Sequence, residues 1–91
     1  MSQYKLNNGL TFIVEHQANK WRLILADGNR ELACHKETPG NLRRFLSSTQ
    51  TQLFNGRLQL HKTKGSDTVV ILLKGQPVGE LAAAEFEKIL H

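Results

Sequence analysis

Apolar and polar positions alternate through the first third of the chain, and Asn, Asp and Gly punctuate the alternation. Asn8-Gly9 and Asp27-Gly28 are two-residue hairpin signals, because these residue types accept positive φ. Leu10 to His16 is rich in strand formers and reads as a strand. Around Asp27-Gly28 the expected register pairs Leu25 with Arg30, Leu23 with Leu32 and Trp21 with Cys34. Period-two geometry then places Trp21, Leu23, Leu25, Leu32 and Cys34 on one face, which is the predicted core face.

The period changes after Thr38. Thr38-Pro39 is an N-cap followed by proline at the first helical position. Leu42, Phe45, Leu46, Thr49 and Leu53 recur at helical spacing, which predicts a helix over 39–53 stopped by Asn55-Gly56. Alternation then returns. Leu58 and Leu60 lie on one face, with Arg57, Gln59, His61 and Thr63 on the other. Thr68 to Leu73 is apolar on both faces and reads as a buried central strand. Gly75-Gln76-Pro77 turns the chain into a short strand, Val78 to Leu81, and 82–90 forms a second helix with Phe86, Ile89 and Leu90 facing inward.

The two halves resemble each other. A shift of 47 residues lays Leu6, Asn8-Gly9, Ile24-Leu25 and Gly28 on Leu53, Asn55-Gly56, Ile71-Leu72 and Gly75. After a three-residue slip, Leu42, Phe45 and Leu46 fall on Phe86, Ile89 and Leu90. The expected fold is therefore α+β, one domain over 1–91, with antiparallel strands and two helices. Its plan would be a pseudo-repeat of two strand-strand-strand-helix units, 6–53 and 54–90. At 91 residues the chain has the length of a single domain with a thin core.

Candidate chemistry is sparse. Cys34 is the only cysteine, and His35 points to the opposite face of the same strand, so the two cannot act as a local nucleophile and base. His16, His35, His61 and His91 share no ligand spacing, and one cysteine cannot complete a zinc-finger set. No G-x-G-x-x-G or phosphate-loop pattern occurs. Glu80, Glu85 and Glu87 are placed at the start of or along the last helix, as a solvated face. The expectation is a protein that is not an enzyme and takes no cofactor or metal. The lone cysteine fits a reducing cytosol, and neither a signal pattern nor a membrane-length apolar run is present, so a soluble cytoplasmic location with no membrane partner is expected.

Charge narrows the function. The net formal charge of +4 conceals a balanced stretch over 1–19, an excess of +6 over 20–64 and −2 over 65–91. A basic middle suits a polyanion. The candidate nucleic-acid-binding residues are Arg22, Arg57, His61, Lys62 and Lys64 on strands or their ends, and Arg43 and Arg44 on the first helix. Phe45 and Phe86 belong to helix cores and Trp21 to the sheet core, which leaves Tyr4, Phe12 and Phe54 as candidate base-stacking residues.

Two consecutive strand-rich units, each closed by a helix, resemble the plan of Whirly and PUR-type single-strand binders. That resemblance implies single-stranded nucleic acid as the partner. Val69-Val70-Ile71, Gly75-Gln76-Pro77-Val78-Gly79-Glu80-Leu81 and Glu85-Phe86-Glu87 are similar to the hairpin-and-helix stretch of Phd/YefM-type antitoxins, over about a quarter of the chain. The strand-rich first half departs from that family, whose N-terminal part is mainly helical. The leading expectation is a non-catalytic binder of nucleic acid, single-stranded in preference. The alternative is a protein-binding adaptor or inhibitor using an exposed sheet edge or helix. Open edges also favour a symmetric homodimer.

Overall fold

The computed structural model describes residues 2–6, 8–63 and 65–90. Four strands form a first sheet, A: β1 (Ser2–Lys5), β2 (Thr11–Gln17), β3 (Lys20–Asp27) and β4 (Arg30–Glu37). Helix α1 (Pro39–Ser47) follows. A second sheet, B, holds β5 (Gln52–Leu53), β6 (Leu58–Lys62), β7 (Thr68–Leu73) and β8 (Gln76–Ala82), and α2 (Ala83–Leu90) closes the chain. Each sheet is an antiparallel meander in sequence order, so the fold is α+β as the alternation predicts. Each sheet has four strands where three are expected before each helix, and sheet B begins at β5 rather than at residue 54. The additional strands, β1 and β5, are four and two residues long, too short for a periodicity signal. The antitoxin-like stretch does form a hairpin and helix, while the first half is sheet A and α1.

Tight links set the registers. Gln17 pairs with Lys20 around Ala18-Asn19, and Leu73 with Gln76 around Lys74-Gly75. Lys74 and Gly75 both have positive φ, as the twist-matched two-residue turn requires. The Asn8-Gly9 hairpin has a longer link than expected, because Lys5 pairs with Thr11. The β3–β4 turn is centred on Gly28-Asn29, one residue later than expected, with Asp27 opposite Arg30. That displacement alone would leave Cys34 on the inner face. A bulge at Leu32 then moves the pairing by one residue, so Leu25 meets Ala33, Ile24 meets Cys34 and Leu23 meets His35. A one-residue shift exchanges the faces. Ala33 therefore enters the core, and Cys34, expected inside, is exposed.

Helix α1 also ends early, at Ser47 rather than near 53. Thr38 caps its start, its hydroxyl accepting from the Asn41 amide, and Pro39 opens the first turn. Beyond Ser48 the sequence Thr49-Gln50-Thr51-Gln52 offers no apolar side chain to bury, and Leu53 instead pairs with Leu60 in sheet B. Thr49 and Leu53 continue the helical spacing only by coincidence. Glu80, expected at the start of the last helix, lies in β8.

One core joins both units. Phe12, Val14, Leu23 and Leu25 from sheet A meet Leu58, Leu60, Val69 and Ile71 from sheet B, with Leu42, Phe45, Phe86 and Leu90 from the helices. Phe12, a candidate stacking residue by sequence, is fully buried and packs edge-on against Phe86 at 5.8 Å. The units interlock. Phe86 of α2 lies on sheet A, while Phe45 of α1 lies beneath Lys62 of sheet B. The link after β1 seats Leu6 against Gly79 of β8, where a Cβ would stand 2.8 Å from the Leu6 side chain. Glycine is what lets that backbone approach. In the opposite sense, Phe54 from the link after β5 lies on His35 of β4.

Lys62 closes the end of α1. Its ammonium donates to the carbonyls of Phe45 and of Ser48 (2.8 Å) and sits 4.9 Å above the Phe45 ring. A cation at a helix C-terminus satisfies carbonyls that have no partner within the helix. Lys62→Met keeps the length of the stem and removes those bonds. The expected loss is about 1–2 kcal/mol in a urea titration, with the m-value unchanged. A midpoint equal to that of the parent protein would refute this capping role.

Candidate nucleic-acid interface

The structure separates the basic side chains into occupied and open ones. Arg22 stands on the outer face of sheet A, opposite Glu15 on β2 and Lys36 on β4. Its guanidinium bonds Glu15 at 2.7 Å, both Glu31 oxygens at 2.9 Å and, through Nε, the Cys34 sulfur at 3.1 Å. The bond to Glu15 is the main reason its pKa is raised. Its donors are directed at partners within the protein. Arg43 on α1 donates to the Leu90 carbonyl at the end of α2, at 3.1 Å. Lys62 is held at the end of α1. His61 lies half-buried between Gln52 and Val70, and its Nε2 is buried with no partner among the described residues. Lys64 lies outside the described residues. Of the seven candidates, Arg44 on α1 and Arg57 before β6 are exposed and have no ion-pair or hydrogen-bond partner for their guanidinium among the described residues.

Lys74, which sequence reasoning did not single out, joins Arg57. Its amide donates to the Arg57 carbonyl at 2.7 Å, so the link before β6 and the β7–β8 turn bring two exposed cations to one end of sheet B. The same link begins at Phe54, which has φ +69 and is half-buried. Its ring lies 3.8 Å from that of His35, tilted by 33°. Gln52 Nε2 holds the Phe54 carbonyl at 3.0 Å and fixes the link. The contact between units makes this cluster, so it could be read from the sequence only once the interlock was known.

Cys34 has a different environment from the one expected. It is exposed on the outer face, beside Arg22. Desolvation by its neighbours pushes its thiol pKa up, Arg22 opposes this, and Glu31 adds to it. A raised thiol pKa means less thiolate at any given pH, and thiolate is the reactive form. Alkylation is therefore expected to be slower at neutral pH than for a free cysteine, to quicken as pH rises, and to quicken further in Glu31→Gln. Cys34→Ser should leave stability within about 0.5 kcal/mol, as for a surface change. Complete labelling at neutral pH, at the rate of an activated thiolate, would contradict this environment.

A cleft of about 420 Å³ lies between the end of α1 and the start of α2, lined in part by Ser48, Thr51, Thr63, Asp67 and Glu87. A shallower depression on the outer side of β8 is formed by Asn8, Val70, Pro77, Val78, Gly79 and Glu80. Among the described residues no group of three or more His, Cys, Asp or Glu side chains is placed to hold a metal ion, and no helix is long and apolar enough to cross a membrane. The chain matches no family model, no curated protein and no solved structure.

Proposed function

We propose that this chain is a small non-catalytic binding protein whose partner is nucleic acid, single-stranded in preference. The observation that carries the reading is the exposed pair Arg57 and Lys74 beside the stacked Phe54 and His35. Cations that follow a phosphate backbone beside rings that accept bases are the combination single-strand binding requires. No base-edge reading motif occurs in the sequence, so affinity should come chiefly from phosphates and stacking.

The test is a titration of labelled single-stranded and duplex oligonucleotides at several salt concentrations. Binding at low salt, with Kd near about 10⁻⁴–10⁻⁶ M at physiological salt and a linear fall of log K with log salt, is the expected result. A second reading, a protein-binding adaptor or inhibitor, is favoured by the apolar depression at Val70, Pro77 and Val78. Such binding would be weakly dependent on salt, because it rests on apolar contact. If no oligonucleotide binds at low salt, the nucleic-acid reading fails and the adaptor reading takes its place.

A further inference from the structure

Sheet A carries rings where its inner face runs past the core. Val14 and Leu23 form the last fully buried cross-strand pair of β2 and β3. One step further along the same face, His16 stands directly opposite Trp21, with ring centroids 4.9 Å apart and a tilt of 54°. On β4, His35 is opposite Leu23 and so diagonal to Trp21, within reach of a large side chain. Phe54 lies on His35. Across the sheet end the strand order gives His16 on β2, Trp21 on β3 and His35 on β4, and Phe54 adds a ring contact to His35. His16 is exposed and the other three are half-buried. Trp21 is packed against the core along part of its surface, and its indole N–H has no hydrogen-bond partner among the described residues. Two imidazoles in a row of four rings are poorly suited to closing an apolar core.

Cations lie at one end of this row. Arg57 and Lys74, both exposed, belong to the link that begins at Phe54 and the turn bonded to it. Glu37, opposite Trp21 on this face, accepts through Oε1 from the Thr38 amide and from Asn41 Nδ2, both at 2.9 Å, and so is turned toward the start of α1. Glu15 and Glu31 are bound to Arg22 on the other face of the sheet.

We propose that the row His16–Trp21–His35–Phe54 is a stacking track for unpaired bases of a single-stranded nucleic acid, with Arg57 and Lys74 meeting its phosphates at the Phe54 end. This rests on the nucleic-acid reading and adds the part of the ligand that the site recognises. Bases already stacked in a duplex cannot use the track, so single strands are favoured over duplexes by the rings rather than by charge.

Trp21 is the only tryptophan and reports directly on stacking. Its emission is followed during titration with oligo-dT, with a duplex of equal length and with inorganic polyphosphate, at low salt, alongside anisotropy of labelled oligo-dT. Oligo-dT should quench the emission, while polyphosphate should bind without quenching. Phe54→Leu keeps an apolar side chain at this position and should lower oligo-dT affinity roughly 5- to 150-fold without changing polyphosphate affinity. His16→Ser, at an exposed position, serves as a second variant should Phe54→Leu fail to fold, and should weaken oligo-dT binding in the same sense. Oligo-dT binding without quenching and unaffected by either variant would overturn the track while leaving the nucleic-acid reading in place. Equal quenching by single strand and duplex would also overturn it. Absence of binding to any of the three probes would overturn both.

Discussion

Phe86→Ala is expected to lower stability by about 3–5 kcal/mol, at the top of the range for truncating one core side chain. Phe86 is 2% exposed and meets the fully buried Phe12 edge-on at 5.8 Å. The substitution removes transfer free energy, opens a cavity and dissolves an aromatic pair that contributes about 0.5–1.5 kcal/mol beyond its area. Relaxation around the cavity is restricted, because α2 is one side of a core shared by both sheets. A domain of this size holds roughly 5–15 kcal/mol in all, so much of its stability would go. Each kcal/mol lost moves Tm by about 4–8 °C at this chain length. Thermal melts by circular dichroism provide the measurement. A fall of only a few degrees would mean that α2 does not close the core over sheet A.

The largest expected effect on binding is the joint replacement of Arg57 and Lys74 by alanine. On a single strand each phosphate contact contributes about 0.7 to the negative slope of log K against log salt, so the pair should reduce that slope by about 1.4. Both side chains are exposed, so the fold should be intact. Arg44→Ala, on α1, tests whether the helix adds a further contact. Arg22→Ala should behave otherwise. Its donors are directed at Glu15, Glu31 and Cys34, so its removal takes away no free phosphate contact, and it releases two carboxylates on the outer face of sheet A. Slopes measured by anisotropy at four or more salt concentrations separate these cases. If Arg22→Ala flattens the slope and the double variant does not, the site belongs on the outer face of sheet A.

Sequence reasoning succeeded where periodicity is strong and local. Leu42 and Phe45 are buried on α1, Phe86 and Leu90 on α2, and Thr68–Leu73 is a central strand flanked by β6 and β8. It failed where one residue decides. The bulge at Leu32 has no marker such as glycine, yet it exchanges the faces of β4 and moves Cys34 to the surface. The end of α1 was misplaced because Thr49 and Leu53 happen to continue its spacing. Charge alone could not sort the basic residues either. Arg22 and Lys62 look like open cations in the sequence, and their partners appear only when β2 is aligned on β3 and α1 is set on sheet B. The ring cluster is still less legible, since Phe54 and His35 come from different units.

The interlock of the two units bears on how the chain reaches this fold. Phe86 covers sheet A from a helix encoded 74 positions after Phe12, and Lys62 completes the end of a helix encoded before sheet B exists. Neither half then has a finished apolar face of its own. A fragment ending near residue 50 should expose the inner face of sheet A and fail to fold alone, and the whole chain should melt in one transition with no half-folded plateau. Contacts between residues so far apart in sequence must wait for the loops between them to close. Folding should accordingly be slow for a chain of this length, nearer milliseconds to seconds than microseconds. While it emerges from the ribosome, sheet A should have its cover completed only when α2 arrives.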